Sequence, residues 1–325
     1  MRPELVVPGK LALGDRVAVV SPGYAAPGRY PKVHELAMRR LREEIGLEPV
    51  EYPTTRQLGA APQARAEDLM AAFADPQIKA ILATIGGDDQ ITVLPFLDPE
   101  VAVANPKAFA GFSDNTNLLN WLWNLGIAGY HGGSTMMHLA RPGGMHPVSA
   151  SSLRAALFDS GDLRLQPVDR FSEDELSWAD FDGMAYPAPT QPGLTWSWHQ
   201  AEQVVTGPTW GGNLEIIHWN LAAGRWIRPV ADYSGCILIL ETSEERPCAE
   251  EVFRMLRNFG ERGLLAQFPA VVFGLAKASG FDRPVNPEAM IVFNVDIGHT
   301  DPQWVIPYGG TMTVDGPART ITASY

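Results

Sequence analysis

Apolar runs alternate with helix-like stretches through the first half of this chain, and that alternation constrains its fold most. Residues 16–21 and 80–85 form aliphatic runs, the second of which ends at Gly86-Gly87, while 34–45 and 64–73 have helical spacing of apolar side chains. Strands that alternate with helices at these lengths predict a parallel sheet with helices on both faces, a Rossmann-like α/β domain. Ligands of such sheets bind beyond the carboxyl ends of the strands, where the glycine pair falls.

One serine lies where a further apolar run stops and a helical pattern begins. Ser113 follows the run 109–112, and leucine and tryptophan recur at helical spacing over 118–123. A sharp strand-to-helix turn lifts a serine hydroxyl clear of its neighbours and aims the first helical N–H groups at whatever the hydroxyl attacks. Serine, aspartate and asparagine before a helix are also ordinary N-cap residues. The partners of Ser113 therefore decide between a nucleophile and a helix cap.

Composition excludes several classes of function. The 325 residues carry a net charge of −12, which argues against a nucleic-acid-binding surface and favours a small peptide or another small molecule as substrate. The two cysteines have no metal-ligand spacing and cannot form a disulfide framework, and no cluster suggests a metal or another cofactor. The first residues lack the apolar core of a signal peptide, and no long apolar stretch predicts a membrane span. We expect a cytoplasmic protein that binds neither nucleic acid nor membrane.

The second half of the chain divides into a loop-rich segment and a further domain. Residues 1–140 form the predicted α/β domain, and 141–206, rich in Pro, Gly, Asp and Trp, read as a linker or an active-site loop in which Trp178 slightly favours a functional role. From residue 207 the pattern is mixed and mostly β. We expect 207–325 to be a C-terminal domain.

A nucleophilic serine needs a base, most often histidine, held by a carboxylate. Among the seven histidines His299 is the preferred base, because it follows the strand-like run 290–295 in a turn directly after a glycine. His131, which precedes a second glycine pair, is the alternative base. The other five have no flanking signal of a site, and a structural or surface role is expected for them.

Glu241 is the preferred carboxylate because it directly follows the apolar run 236–240, where an acid is poorly placed unless it enters a site. Glu244 and Glu245 lie further into a polar turn and are expected to be solvated charges. The oxyanion hole of the predicted Ser113, Glu241 and His299 triad would use the backbone N–H of Asp114 and that of Gly87, which can approach closely.

At this point the chain resembles a known family, the serine peptidases that join LD-carboxypeptidases to the microcin C self-immunity peptidases. The residues that carry the resemblance run from end to end of the chain: 14–22, Asp75-Pro76 with 78–81, 86–89, 111–116, 211–214, 240–244 and 298–303. The resemblance implies a Ser-His-Glu triad on Ser113, His299 and Glu241. It also implies an N-terminal parallel sheet, a C-terminal mixed, barrel-like β domain that carries helices, and a homodimer.

Two departures from the LD-carboxypeptidase pattern make the chain most similar to the microcin-immunity branch. It has 85–89 (IGGDD) at the first glycine pair and 241–247 (ETSEERP) after the glutamate. The branch hydrolyses an amide bond between an acidic aminoacyl group and a nucleotide moiety, so the resemblance implies an aminoacyl-nucleotide substrate. It also implies an aromatic side chain that stacks on adenine, for which Trp178 is the first candidate and Trp210 the second. The substrate-binding residues expected from this likeness are Gly86, Asp88, Trp178, Trp210 and Asn213.

Three other functions stay open. The nearest is a muropeptide LD-carboxypeptidase that releases a terminal D-amino acid. A glutamine amidotransferase-like enzyme would share the α/β sheet but generally requires a cysteine nucleophile. A non-catalytic protein could instead use the glycine pairs to hold an anion.

Overall fold

A computed structural model describes residues 4–173, 178–277 and 288–325 of the chain as two sheets with flanking helices. The helices are α1 Ala26–Arg29, α2 Pro31–Arg40, α3 Pro62–Ala74, α4 Pro99–Ala104, α5 Thr116–Asn124, α6 Pro147–Leu157, α7 Leu214–Ala223 and α8 Ala249–Glu261. The strands are β1 Arg16–Val20, β2 Glu48–Glu51, β3 Ile78–Ala83, β4 Ala108–Gly111, β5 Gly129–His131, β6 Asp162–Leu165, β7 Arg170–Phe171, β8 Gln191–Pro192, β9 Ser197–His199, β10 Val204–Asn213, β11 Ile237–Glu241, β12 Ala270–Gly274, β13 Met290–Val295, β14 Ile306–Tyr308, β15 Thr311–Asp315 and β16 Thr320–Ser324. The expected α/β fold with a second, mixed sheet is confirmed.

The first sheet has the strand order β14-β5-β4-β3-β1-β2 and is parallel except at β14. Its central strands are buried on both faces, as aliphatic runs in a helix-covered parallel sheet require. Helices α2, α3, α4 and α6 each begin with proline, whose missing N–H costs nothing in the first turn. Strand β14 pairs antiparallel with β5, so a segment near the end of the chain completes the N-terminal sheet.

The second sheet has the order β6-β16-β15-β10-β11-β12-β13-β9 and is mixed. Strands β10 to β13 are parallel, and the outer strands pair antiparallel. Within the described ranges the pairing runs from β6 at one edge to β9 at the other without closing on itself. Every residue of β11 and β12 is buried, so these strands form the centre of the second core.

Helix α5 joins the two sheets and is buried along its first eight residues. A helix enclosed on all sides must satisfy its polar side chains internally. Asn117 accepts a hydrogen bond from Asn220 of α7 at 3.0 Å, and Asn120 accepts one from the indole of Trp210 at 3.0 Å. Thr116 accepts a further bond from the backbone N–H of Asn213 at 3.0 Å. The helix that follows Ser113 is thus fixed against the second sheet.

No helix of the described residues combines the length and apolarity needed to span a membrane.

A buried carboxylate ties the segment 141–206 to the loop after β13. Asp296 accepts hydrogen bonds from the indole N–H of Trp196 at 2.9 Å and from the backbone N–H of Val168 at 3.3 Å. Burial raises the pKa of Asp296 to about 7, against the opposing effect of these bonds. The same loop carries His299 three residues later.

Replacement of Asp296 by asparagine tests how the ionisation of this buried carboxyl group affects stability. Because the folded state binds the Asp296 proton more tightly than the unfolded chain, this group lowers stability as the pH rises from its ordinary pKa of 3.8 towards 7. Asp296→Asn keeps an acceptor for Trp196 and cannot ionise. We expect it to raise the thermal unfolding midpoint at pH 8 by roughly 2–5 °C and to change it little at pH 4. Thermal unfolding followed by circular dichroism at both pH values measures this, and equal shifts at the two would contradict it.

Candidate active site

Ser113 lies in a strained turn between β4 and α5. Its φ of +61° is rare for a residue with a side chain, and such strain, on the order of 1–3 kcal/mol, persists only where neighbours enforce it. Asn115 enforces it here, because its amide donates hydrogen bonds to the carbonyls of Ile85 and Phe112, both at 3.0 Å. The backbone therefore has the strand-to-helix elbow predicted from the sequence, with Ser113 facing a cavity.

The glycine pair after β3 lies directly against this turn. A Cβ on Gly86 would lie 3.0 Å from the Ser113 hydroxyl oxygen and 3.2 Å from the Asp114 nitrogen, and one on Gly87 would lie 2.7 Å from the Tyr24 nitrogen. Only glycine allows this approach. The backbone N–H groups of Gly87 and Asp114 donate no hydrogen bond within the described ranges, so both remain available to an oxyanion.

The Asp114 side chain fixes the relation between the two turns. Its carboxylate accepts hydrogen bonds from the backbone N–H of Gln90 at 3.0 Å and from the side chain of Asn117 at 2.8 Å. Burial raises the pKa of Asp114 to about 6 despite these bonds. Asp114 therefore also has a structural role, in addition to the predicted role of its backbone amide.

Glu241 ends β11 and is fully enclosed. A Cβ on Gly298 or on Gly274 would approach the Glu241 Cβ to 2.5 and 2.9 Å, so the two glycines leave the room that this side chain occupies. Its Oε2 lies 2.6 Å from Nδ1 of His299. Burial alone would raise the pKa of Glu241, but the facing histidines, above all His299, lower it to about 2. The carboxylate is ionised and holds the imidazole through Nδ1.

The other ring nitrogen of His299 contacts a second carboxylate. Nε2 lies 3.1 Å from Oε2 of Glu244, whose side chain is 54% exposed. Burial would lower the pKa of His299, but the charges of Glu241 and Glu244 outweigh it and raise that pKa to about 10. In the described part of the chain no hydrogen bond joins His299 to Ser113. The imidazole of His299 therefore lies between two carboxylates that favour its protonated form.

Glu244 is exposed, as expected, but its carboxylate also contacts the imidazole of His299. The sequence contained no signal for this, since Glu244 and His299 lie 55 positions apart and on different elements. Glu245 is exposed, as expected. His131, the alternative base, lies on the far side of Glu241 with its Nε2 3.5 Å from Oε1 of that residue.

Ser113 and His299 line one cavity of about 440 Å³. Gly86, Asp88 and Trp178 of the expected substrate-binding residues line it too. Further lining residues that sequence reasoning missed are Tyr24, His138, Arg141, Glu244, Lys277 and Asp301. Arg141 Nε contacts both carboxylate oxygens of Asp301, at 2.9 and 2.7 Å, a pairing across 160 residues that no local pattern could indicate.

Two expected substrate-binding residues do not reach this cavity. Trp210 is 0% exposed and packs in the core against Tyr233 and Phe268, at ring distances of 4.6 and 5.8 Å, so its assignment as a base-stacking residue is wrong. Asn213 is buried as the N-cap of α7, where its side-chain oxygen accepts the N–H of Ile216 at 3.0 Å. Both side chains are enclosed by the contact between α5 and the second sheet.

Trp178 takes part in packing at the cavity wall. Its ring meets that of Tyr30 edge to face at 5.4 Å.

In the described ranges no group of three His, Cys, Asp or Glu side chains is arranged to hold a metal ion.

Comparison with known proteins assigns the family. The pattern of the LD-carboxypeptidase N-terminal domain matches residues 17–132, and that of the LD-carboxypeptidase C-terminal domain matches 206–314. A protein of Treponema pallidum named "Putative carboxypeptidase" is 28% identical, over 99% of this chain and 96% of its own length. The microcin C7 self-immunity protein MccF of Escherichia coli is 24% identical, over 79% of this chain and 77% of its own length.

Solved structures agree. An MccF-like protein from Streptococcus pneumoniae in complex with AMP has a TM-score of 0.86 and 26% identity, and the match covers 96% of this chain and 99% of that one. MccF in complex with aspartyl sulfamoyl adenosine has a TM-score of 0.86 and 21% identity, with 98% of both chains covered, which supports the shared fold. The chain therefore belongs to the LD-carboxypeptidase family and is a hydrolase that acts on peptide or amide bonds.

Proposed function

We propose that this protein is a serine amidase that cleaves an aminoacyl-nucleotide amide bond with Ser113, His299 and Glu241 as its triad. The observation that carries the proposal is the 2.6 Å contact between Glu241 Oε2 and His299 Nδ1, beside the cavity that Ser113 lines. A buried carboxylate on Nδ1 leaves Nε2 as the nitrogen that exchanges protons with a nucleophile. The strained turn at Ser113 and the free amides of Gly87 and Asp114 fit acyl transfer.

In this mechanism unprotonated His299 takes the proton of Ser113 as the serine oxygen attacks the amide carbon. The oxyanion forms at the amides of Gly87 and Asp114, and Glu241 stabilises the imidazolium. His299 then donates its proton to the leaving nitrogen, the C–N bond breaks, and an acyl-serine remains. Water, deprotonated by His299, cleaves that ester and restores the serine.

The mechanism requires Glu244 to leave Nε2 of His299 first. Ser113 and Glu244 compete for the same ring nitrogen, and a charged imidazole cannot accept a proton. Because the Glu244 side chain is half exposed, it can turn into solvent at little cost when substrate enters the cavity. Loss of this neighbouring charge lowers the pKa of His299 and so favours the free base.

The substrate class rests on the relatives and on the cavity wall. An MccF-like relative that is 26% identical was solved with AMP, and MccF was solved with aspartyl sulfamoyl adenosine and with glutamyl sulfamoyl guanosine. Trp178 lines the cavity here, and an indole ring can stack on a purine base. We expect a homodimer, as the family resemblance implies, and a cytoplasmic location from the composition.

A muropeptide LD-carboxypeptidase is the second candidate. It is favoured by relatives named as carboxypeptidases over nearly their whole length, such as that of Treponema pallidum. It would use the same triad on a different substrate. Incubation with aspartyl- and glutamyl-sulfamoyl adenosine beside a muropeptide tetrapeptide, with products read by mass spectrometry, distinguishes the two.

Loss of the nucleophile is the first test. We expect Ser113→Ala to lower kcat about 10⁶-fold and Glu241→Gln about 10⁴-fold, because the second change removes orientation and charge but keeps the attacking oxygen. A fluorophosphonate probe should label wild type and the control Ser151→Ala, an exposed serine of α6, but neither Ser113→Ala nor His299→Ala. Near-normal hydrolysis by folded Ser113→Ala would refute the assignment.

Replacement of Trp178 tests the nucleotide-binding role. Stacking of an aromatic ring on a base contributes about 1–3 kcal/mol, so Trp178→Ala should raise KM for the sulfamoyl adenosine substrates roughly 5- to 100-fold. Trp178→Phe should retain most of the affinity. Trp219→Ala, in which a half-exposed tryptophan of α7 outside the cavity is changed, serves as the control. Equal KM values for Trp178→Ala and wild type would argue against stacking.

Removal of the Glu244 charge tests the resting contact on His299. Activity needs the unprotonated imidazole and so rises with pH through the pKa of His299, which Glu244 helps to raise. Glu244→Gln should therefore move the acid limb of the rate profile to lower pH and make fluorophosphonate labelling at pH 7 roughly 3- to 10-fold faster. Glu245→Gln, one residue away and exposed, should leave the profile unchanged. If the acid limb of the rate profile does not move in Glu244→Gln, the contact between Glu244 and His299 does not form in solution.

A further inference from the structure

Glu241 has a second oxygen, and it also faces a histidine. Oε1 lies 3.5 Å from Nε2 of His131, and the side chains of the two residues are 2% and 1% exposed. Both atoms are buried, and neither has a hydrogen-bond partner elsewhere in the described ranges. Two buried polar groups that face each other with no other partner are expected to pair, because leaving either unpaired costs about 1–3 kcal/mol. His131 is thus the natural partner of the oxygen that His299 does not use.

The fold delivers His131 to this position from the opposite sheet. The residue ends β5 and is held in register between Gly111 of β4 and Ile306 of β14. Across the boundary, Gly212 of β10 precedes the residue that pairs with Glu241 on β11. A Cβ on Gly212 would lie 3.4 Å from the His131 ring and 2.7 Å from the hydroxyl of Thr116. The glycine therefore allows the close approach of Thr116 to β10, while the His131 ring lies at ordinary contact distance from the same position.

We propose that His131 is a positioning residue that holds Glu241 from the side opposite His299. The inference rests on the proposed function, since it concerns the same triad. An imidazole that carries a proton on Nε2 donates it to Oε1, which leaves Oε2 aligned on Nδ1 of His299. Phe112 packs edge to face against both imidazoles, at ring distances of 6.2 and 5.1 Å, and so spaces them around the carboxylate.

The hydrogen bond from His131 to Glu241 also reduces the negative charge that the carboxylate directs at His299. With donors on both oxygens, less negative charge is directed at His299 than with a donor on one. Other ionisable groups also act on this cluster. They are Glu244 on the far side of His299, Glu215 of α7 as a like charge near Glu241, His138, which interacts with His131, and Lys277, which interacts with Glu244. Loss of His131 therefore leaves Glu241 both less well oriented and a stronger electrostatic partner of His299. The first effect slows the reaction, and the second keeps His299 protonated to higher pH.

The rate of fluorophosphonate labelling of Ser113, measured from pH 5 to 11, tests this without knowledge of the natural substrate. We expect His131→Leu to label about 10- to 100-fold more slowly than wild type and to reach half of its maximal rate at a higher pH. This shift to higher pH is opposite in direction to the shift to lower pH that is expected for Glu244→Gln. His131→Gln places an amide N–H near the position of Nε2 and should recover most of the rate. With any substrate that is turned over, kcat should fall while KM stays near the wild-type value.

A matched control separates positioning from burial. His34 is also a fully buried histidine with its Nε2 near a glutamate oxygen, that of Glu51 at 3.2 Å, but it lies on α2 outside the cavity. His34→Leu should lower stability and leave the labelling rate and its pH dependence unchanged in the folded protein. Should His131→Leu fail to fold, His131→Asn replaces it, because the shorter amide cannot reach Glu241.

The outcomes distinguish the two proposals. Labelling of wild type together with a wild-type rate and pH profile in folded His131→Leu or His131→Asn would overturn the role of His131 alone. Equally slow labelling by His131→Gln and His131→Leu would also overturn it, since the retained donor would then be without effect. Absence of labelling in both wild type and Glu244→Gln would overturn the triad itself.

Discussion

The buried carboxylate of Glu241 is the interaction on which the rest of the site depends. An isolated charge at 2% exposure would be very costly, and the histidines on either side of it make its burial tolerable. The space that this side chain needs also restricts residues far from Glu241 in the sequence. Glycine is needed at 274 and 298 to make room for the side chain. The position of one carboxyl group thus accounts for glycines on two separate segments, at the end of β12 and in the turn after β13.

The same interaction explains why the two sheets cannot act separately. Ser113 and His131 belong to the first sheet and Glu241 to the second, while the loop with His299 is followed by β14, which returns to the edge of the first sheet. Helix α5 seals the boundary with asparagine side chains that pair across it. Relative movement of the sheets would separate the serine from its proposed base, so rigid packing at this boundary is a condition of the proposed chemistry.

The sequence predicted the parts of the molecule whose signals are local. Runs that end in glycine indicated the strands and the approach to Ser113, and the acid directly after an apolar run identified Glu241 as a buried carboxylate. Side chains whose surroundings are set by distant residues were not predictable. Trp210, adjacent to a glycine pair, has the same sequence context in a core as in a site, and only its packing on Tyr233 and Phe268 decides. Glu244 similarly resembles any exposed glutamate until the loop with His299 folds back on it.

The exposure of the two carboxylates that contact His299 determines which of them leaves the imidazole in the proposed mechanism. Glu241 cannot leave, because its side chain is 2% exposed and enclosed by glycine backbone, whereas Glu244 is 54% exposed and can return to water. The imidazole is therefore stabilised in its charged form by a permanent and a removable partner. A ligand that enters the cavity without displacing Glu244 leaves His299 protonated and Ser113 without a base. Under this mechanism, substrate selection includes the ability to compete for the space beside Nε2, and binding alone is not sufficient for turnover.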